Sequence, residues 1–319
     1  MFDKATKVYP GQEGPALCDL SLRIPPGEIC MLVGPSGAGK TTALKLINRL
    51  LEPTSGDVLL DGRSVRTFDP PELRRRIGYV IQQVGLFPHQ TVAGNIATVP
   101  RLLGWDKRRI ETRVSELLEL VGLDPKGDGK RYPTQLSGGQ QQRVGLARAM
   151  AADPLVMLLD EPFGALDPIT RVRLQDEFLR LHREVRKTVV FVTHDIDEAI
   201  HMGDRVAILR ENGYLAQYDA PDRLLAHPVD DFVARFVGAD RALKRLSLRR
   251  LSDLDLPAGV GVEGEGEYET IPCQTTLRDA LSLMLTDPDR PRLVVDGEGR
   301  RAGVVTVELI FQALREEAS

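Results

Sequence analysis

Alternating and contiguous apolar positions mark out most of the secondary structure along this chain. From Phe2 to about Gly62 the pattern reads strand, turn, strand: residues 16–24 partly alternate, Pro25-Pro26-Gly27-Glu28 turns the chain, and Ile29-Cys30-Met31-Leu32-Val33 is a contiguous apolar run. The period then changes. Over residues 41–51, Ala43, Leu44, Leu46, Ile47, Leu50 and Leu51 recur at helical spacing, so a strand, a glycine-rich loop and a helix follow in order. Residues 92–151 lose strand character, and within them 108–121 place Ile110, Val114, Leu117, Leu118 and Val121 on one helical face. This predicts an inserted helical subdomain. Strand patterns return at 155–159 and 188–192 around a helical stretch at 170–184, the alternation of a parallel α/β sheet.

After about Phe236 the composition shifts. Arg241, Lys244, Arg245, Arg249 and Arg250 cluster, and 259–266 is rich in Gly and Glu, so residues 241–270 read as a linker between a domain at 1–240 and a small module at 271–319. That module predicts a short strand, a helix at 277–285, two strands around Asp296-Gly297-Glu298-Gly299, and a final helix. The basic run is read as a solvated helix face, with contact to anionic headgroups as the alternative.

The remaining composition narrows the function classes. With 319 residues, 42% apolar and 28% charged, the chain has the balance of a globular protein, and no apolar run approaches the roughly 20 residues that cross a bilayer. The opening Met1-Phe2-Asp3-Lys4 lacks a leader layout, which points to the cytoplasm. Three scattered cysteines, Cys18, Cys30 and Cys273, suggest neither a disulfide framework nor zinc, and a net charge of -4 gives no bulk attraction to nucleic acid.

Gly34-Pro35-Ser36-Gly37-Ala38-Gly39-Lys40-Thr41, with Thr42 behind it, satisfies G-x-x-x-x-G-K-[ST] between an apolar strand and a helix, the context that motif requires. Glycines let backbone N–H groups curl around phosphate oxygens, and the helix N-terminus adds positive potential. Lys40 suits the β and γ phosphates, and Thr41 suits Mg²⁺. Further on, residues 155–159 are a buried-strand pattern ending in Asp160-Glu161. Adjacent acids divide the labour: Asp160 suits a hydrated Mg²⁺, and Glu161 suits taking the proton from an attacking water.

Leu136-Ser137-Gly138-Gly139-Gln140, running into a helical stretch, resembles the signature of ABC ATPases. The resemblance covers about residues 1–240 and implies a phosphate-loop, RecA-like α/β fold with β-rich and helical subdomains. It further implies a homodimer in which Ser137, Gly138, Gly139 and Gln140 close on the ATP of the opposite subunit. Physically, small residues and free N–H groups at a helix start make a second anion site. By the same resemblance, Gln82 senses Mg²⁺ and the attacking water, Asp167 belongs to a loop communicating across the dimer, His194 contacts the γ phosphate, and Tyr9 stacks on adenine.

Two longer stretches, 77–89 and 155–171, are similar to ATPases of glycine betaine, carnitine and choline importers. That likeness implies transmembrane permease subunits docking on 84–92, an extracytoplasmic substrate-binding protein acting indirectly, and a place at the cytoplasmic face of the cell membrane. Residues 271–314 resemble a single CBS module around Gly303-Val304-Val305-Thr306, departing from that pattern where Leu309 takes the place of an acid. The readings left open are an ATPase for another small solute and a non-transport ABC ATPase.

Overall fold

A computed structural model describes residues 1–12, 14–81, 85–164, 166–257 and 269–315. The chain divides into two compact units, the first ending at Asp219 and the second beginning at Ala220. The first holds β1 (Phe2–Val8), β2 (Pro15–Leu22), β3 (Ile29–Val33), β4 (Ser55–Leu60), β5 (Arg63–Ser64), β6 (Ile77–Val80), β7 (Val156–Asp160), β8 (Thr188–Val192), β9 (Arg205–Leu209) and β10 (Leu215–Asp219). Four of these form an antiparallel sheet in the order β2-β1-β4-β5. The other six follow the order β10-β9-β3-β8-β7-β6, parallel except for the edge pair β9 and β10.

The parallel strands are contiguous apolar runs because both faces of the sheet are covered. Every residue of β3 is buried, as are the first four of β7 and the last four of β8. The helix Lys40–Ile47 turns Ala43, Leu44, Leu46 and Ile47 into one core with Phe2 and Leu20 of the antiparallel sheet and Leu32, Leu158 and Val190 of the parallel one. A single core thus braces the loop that precedes this helix.

The helical region expected at 92–151 contains the helices Val92–Ile96, Thr98–Leu102, Lys107–Leu120 and Gly138–Met150. Asp106 starts Lys107–Leu120 by accepting the Arg109 amide at 3.0 Å, and Ile110, Val114, Leu117 and Leu118 are its buried face. Gly138–Met150 lies so close to β6 that a Cβ at Gly78 would stand 2.5 Å from the Ala149 carbonyl oxygen.

In the second unit, the first part of the segment expected as a linker is structured. Residues 241–248 form the helix Arg241–Leu248, which packs against Pro221–Ala226 and against Leu277–Met284. Leu246 and Leu251 are buried in a core with Ile271, Leu277, Val294 and Ile310. The basic run is only partly the solvated face expected: Arg241 and Arg250 are exposed, whereas Arg245 is buried and pairs with Asp222 at 2.9 Å, and Lys244 donates to the Val237 carbonyl. Apolar Leu246 and Leu251 outweigh the charges around them. Residues 259–266, the Gly/Glu-rich part of the same expectation, lie outside the described residues. Beyond them β11 (Thr270–Pro272), β12 (Arg292–Val295) and β13 (Arg301–Val305) form a three-stranded sheet, with the helices Leu277–Met284 and Val307–Arg315.

Candidate nucleotide site

The loop at 34–39 leaves β3 and opens into the helix Lys40–Ile47. Gly39 is its N-cap at φ 79, and a Cβ there would stand 2.0 Å from the Ala16 carbonyl oxygen, so only glycine fits. Having no side chain, it caps nothing, and the helix starts with amides that lack an intrahelical acceptor. These amides border a cleft of about 580 Å³ lined by the loop from Ser36 to Thr42, by Tyr9 and by Glu161. This is the arrangement that receives phosphate oxygens.

Lys40 is buried, and its Nζ donates to the carbonyls of Gly34 at 2.8 Å and Pro35 at 2.9 Å, which holds the ammonium across the loop. Burial pushes its pKa below the ordinary lysine value, opposed by Glu161 and Asp160. Thr41 Oγ1 donates to Asp160 Oδ1 at 3.1 Å. Burial raises the Asp160 carboxyl above its usual range, a bond from Thr41 opposes this, and the adjacent Glu161 adds to the rise. Tyr79 on β6 is pushed up to about 12, first by burial and then by Asp160. A hydroxyl and a partly desolvated carboxylate in contact, beside a second acid, are the oxygen donors and the negative potential that suit Mg²⁺.

Glu161 follows the end of β7 with φ 45, a left-handed conformation costly for a non-glycine residue and held by its amide bonding to the Val192 carbonyl at 3.0 Å. His194 Nδ1 stands 3.2 Å from Glu161 Oε1, so β7 and β8 deliver the acid and the imidazole to one place. Behind His194, Asp195 starts the helix Ile196–Met202 and faces Arg171 at 3.8 Å, and Arg171 also donates to the Leu166 carbonyl.

Tyr9 lines the cleft, with its hydroxyl 3.2 Å from Thr42 Oγ1 and the Lys7 ammonium 5.6 Å from its ring centroid. Ser137, Gly138, Gly139, Gln140 and Asp167 are not among the lining residues. Ser137 and Gln140 instead form a capping box at the start of Gly138–Met150, and Asp167 caps Pro168–Val185 through the Thr170 amide at 3.0 Å. Gln82 lies outside the described residues. Sequence reasoning missed Gln12, Gly14, Pro15, Ala16 and Asn212, which also line the cleft. The Asn212-Gly213 pair is legible as a turn, but nothing in the sequence places that turn against β2.

The family model for ABC transporters matches residues 17–164. The osmoprotectant import ATP-binding protein OsmV of Salmonella typhimurium is 48% identical, over 92% of this chain and 75% of that one. This chain belongs to the ABC transporter ATP-binding family. Two more relatives match along its whole length: the glycine betaine/carnitine/choline transport ATP-binding protein OpuCA of Bacillus subtilis (46% identical, 100% of this chain and 80% of that one) and the glycine betaine uptake system ATP-binding protein YehX of Escherichia coli (46%, 99% of both). Among solved structures, the ATP-binding cassette MJ0796, dimeric and bound to ADP and Pi, superposes with a TM-score of 0.60 at 36% identity, covering 69% of this chain and 97% of that one. The fold is that of an ABC ATPase, and the chain is an ATP-binding, ATP-hydrolysing subunit of this family. Among the described residues no helix is long and apolar enough to cross a membrane.

Proposed function

We propose that this chain drives uptake of a quaternary-amine osmoprotectant such as glycine betaine, carnitine or choline, working in pairs at the cytoplasmic face of the cell membrane beneath transmembrane permease subunits. The supporting observation is the likeness along nearly the whole chain to proteins named for those solutes. An extracytoplasmic substrate-binding protein delivers the solute to the permease.

In this reading the triphosphate lies on the amides of residues 36–42, with Lys40 against its β and γ phosphates and the base at Tyr9. Thr41, Asp160 and Gln82 would hold Mg²⁺, which would supply charge neutralisation for the phosphates. Glu161 takes the proton from the attacking water as its oxygen bonds to the γ phosphorus and the bond to the β-bridging oxygen breaks. The contact between His194 and Glu161 orients the carboxylate and leaves the far imidazole nitrogen for the γ phosphate. Ser137, Gly138, Gly139 and Gln140 of one subunit close on the nucleotide of the other, with Asp167 at the seam. Their absence from the lining of their own cleft favours that role.

The permease docks on a groove of about 330 Å³ bordered by Ile81, Phe87, Val99, Pro154 and Arg148. Arg148 stiffens its rim by donating to the Gly85 carbonyl at 2.7 Å. Residues 271–314 serve as a single regulatory CBS module.

Uptake of labelled glycine betaine by cells carrying this chain and its permease tests the reading. Glu161→Gln is expected to lower both ATP hydrolysis and uptake at least about a hundredfold while Mg-ATP binding persists. Normal hydrolysis in that variant overturns the assigned base, and hydrolysis without solute uptake by the unaltered protein overturns the transport assignment.

A further inference from the structure

The cleft is longer than its phosphate end. With the triphosphate on residues 36–42, the nucleoside is left against Tyr9, Gln12, Gly14, Pro15, Ala16 and Asn212. Only three of those six carry polar side chains. Tyr9 commits its hydroxyl to Thr42, and its ring offers any base the same π face. Selection among bases therefore falls to the two carboxamides.

Asn212 is the one held in place. Its backbone is left-handed, at φ 61 and ψ 19, a conformation asparagine tolerates better than most residues. Gly213 follows at φ 69 and presses on β2 so tightly that a Cβ there would stand 2.4 Å from the Ala16 carbonyl oxygen and 2.4 Å from the Leu17 Cα. The turn is thereby pinned to the strand that walls the cleft, and its ends are closed by bonds from the Arg210 amide to the Tyr214 carbonyl and from the Gly213 amide to the Arg210 carbonyl. The side chain leans over Gly14, where an added Cβ would meet Asn212 Oδ1 at 3.4 Å. Among the described residues nothing hydrogen-bonds to the Asn212 carboxamide, so engaging a ligand breaks no internal bond. Gln12 ends an exposed turn that its amide closes on the Tyr9 carbonyl at 3.3 Å, but nothing lies within 4 Å of a Cβ at the neighbouring Gly11, so that turn is not pressed against a strand as Gly213 is.

We infer that Asn212 is a specificity-determining residue that reads the edge of the adenine base. A carboxamide carries one acceptor and one donor at a fixed spacing, which matches the N6 amino group and N7 of adenine. Guanine presents two acceptors, O6 and N7, on that edge, so Asn212 Oδ1 would face an oxygen. The inference rests on the cleft being the nucleotide site as proposed above.

Titration of the purified full-length chain with Mg-ATP and Mg-GTP tests it. Asn212→Gly keeps the backbone conformation available, and Asn212→Asp keeps the acceptor but removes the donor. The unaltered chain is expected to bind ATP about tenfold more tightly than GTP, a modest value for an exposed pair. Both variants are expected to weaken ATP binding: Asn212→Gly brings the ratio towards one with GTP affinity in place, whereas Asn212→Asp, which keeps the acceptor that faces N6, retains a preference for ATP. A ratio that survives Asn212→Gly, or an unaltered chain without preference, overturns the inference. Lys40→Ala separates this failure from that of the site itself: if Lys40→Ala abolishes nucleotide binding while Asn212→Gly keeps the ratio, the cleft stands and the base readout falls.

Discussion

Glu198 carries a buried carboxyl close behind the site. Its side chain accepts from Gln175 Nε2 at 2.8 Å and from Thr193, the neighbour of His194. Burial outweighs those bonds and raises its pKa above the ordinary 4.5. Through this residue the folded protein holds a proton more tightly than the unfolded chain does. The stability Glu198 contributes is therefore complete below 4.5 and is lost as pH rises through the raised folded value. Glu198→Gln retains both hydrogen bonds without a charge to bury. Its melting temperature, measured by differential scanning calorimetry, is expected to gain on the parent as pH is raised from 4.5 to 8. A constant difference across that range would mean that Glu198 ionises in the fold as it does in water. Asp160 shifts in the same direction, first through burial, but it is offset by the Thr41 hydroxyl and by Lys45 and Lys40, the surroundings of a group that functions ionised.

At the scale of elements, capping decides several boundaries that apolar period alone leaves blurred. Asp106 holds the start of Lys107–Leu120 by one bond to an amide and is not among the residues that line the cleft. Asp106→Ala is expected to lower unfolding stability by about 1 kcal/mol in urea titration, with Asp106→Asn close to the parent and ATP affinity unchanged in both. Loss of ATP affinity in Asp106→Ala would show that this helix start supports the cleft as well as itself. The helices and parallel strands were legible because burial on one stripe or on both faces writes a period into the sequence. The stretch after Arg241 was not: its arginines suggest solvent, and only the three-dimensional neighbours of Leu246 and Leu251 reveal a packed helix. In the site, Lys40, Thr41, Asp160 and Glu161 were legible because phosphate and metal chemistry demand those types at those spacings. Asn212 was not, since its place in the cleft comes from Gly213 meeting β2, a contact between segments nearly 200 residues apart in the chain.

At the scale of the whole molecule, the proposed pairing of two chains turns on one surface. Gly138 opens the helix Gly138–Met150, is exposed, and has nothing within 4 Å of the position a Cβ would take. A side chain there disturbs no contact within the subunit, and aspartate in a first helical turn interacts favourably with the helix dipole. Gly138→Asp is therefore expected to fold with unchanged or slightly raised stability and to bind Mg-ATP as the parent does, since its own cleft lies elsewhere. The negative charge would instead meet the triphosphate bound by a second copy, a like-charge contact in a water-poor interface. ATP-dependent dimerisation, followed by light scattering on the Glu161→Gln background to slow hydrolysis, is expected to disappear with Gly138→Asp. Hydrolysis on the parent background is expected to fall at least about a hundredfold, because each site would lack its second anion cradle. Retained dimerisation and hydrolysis would place the start of this helix outside the interface, whereas loss of ATP binding by the single subunit would tie Gly138 to its own cleft.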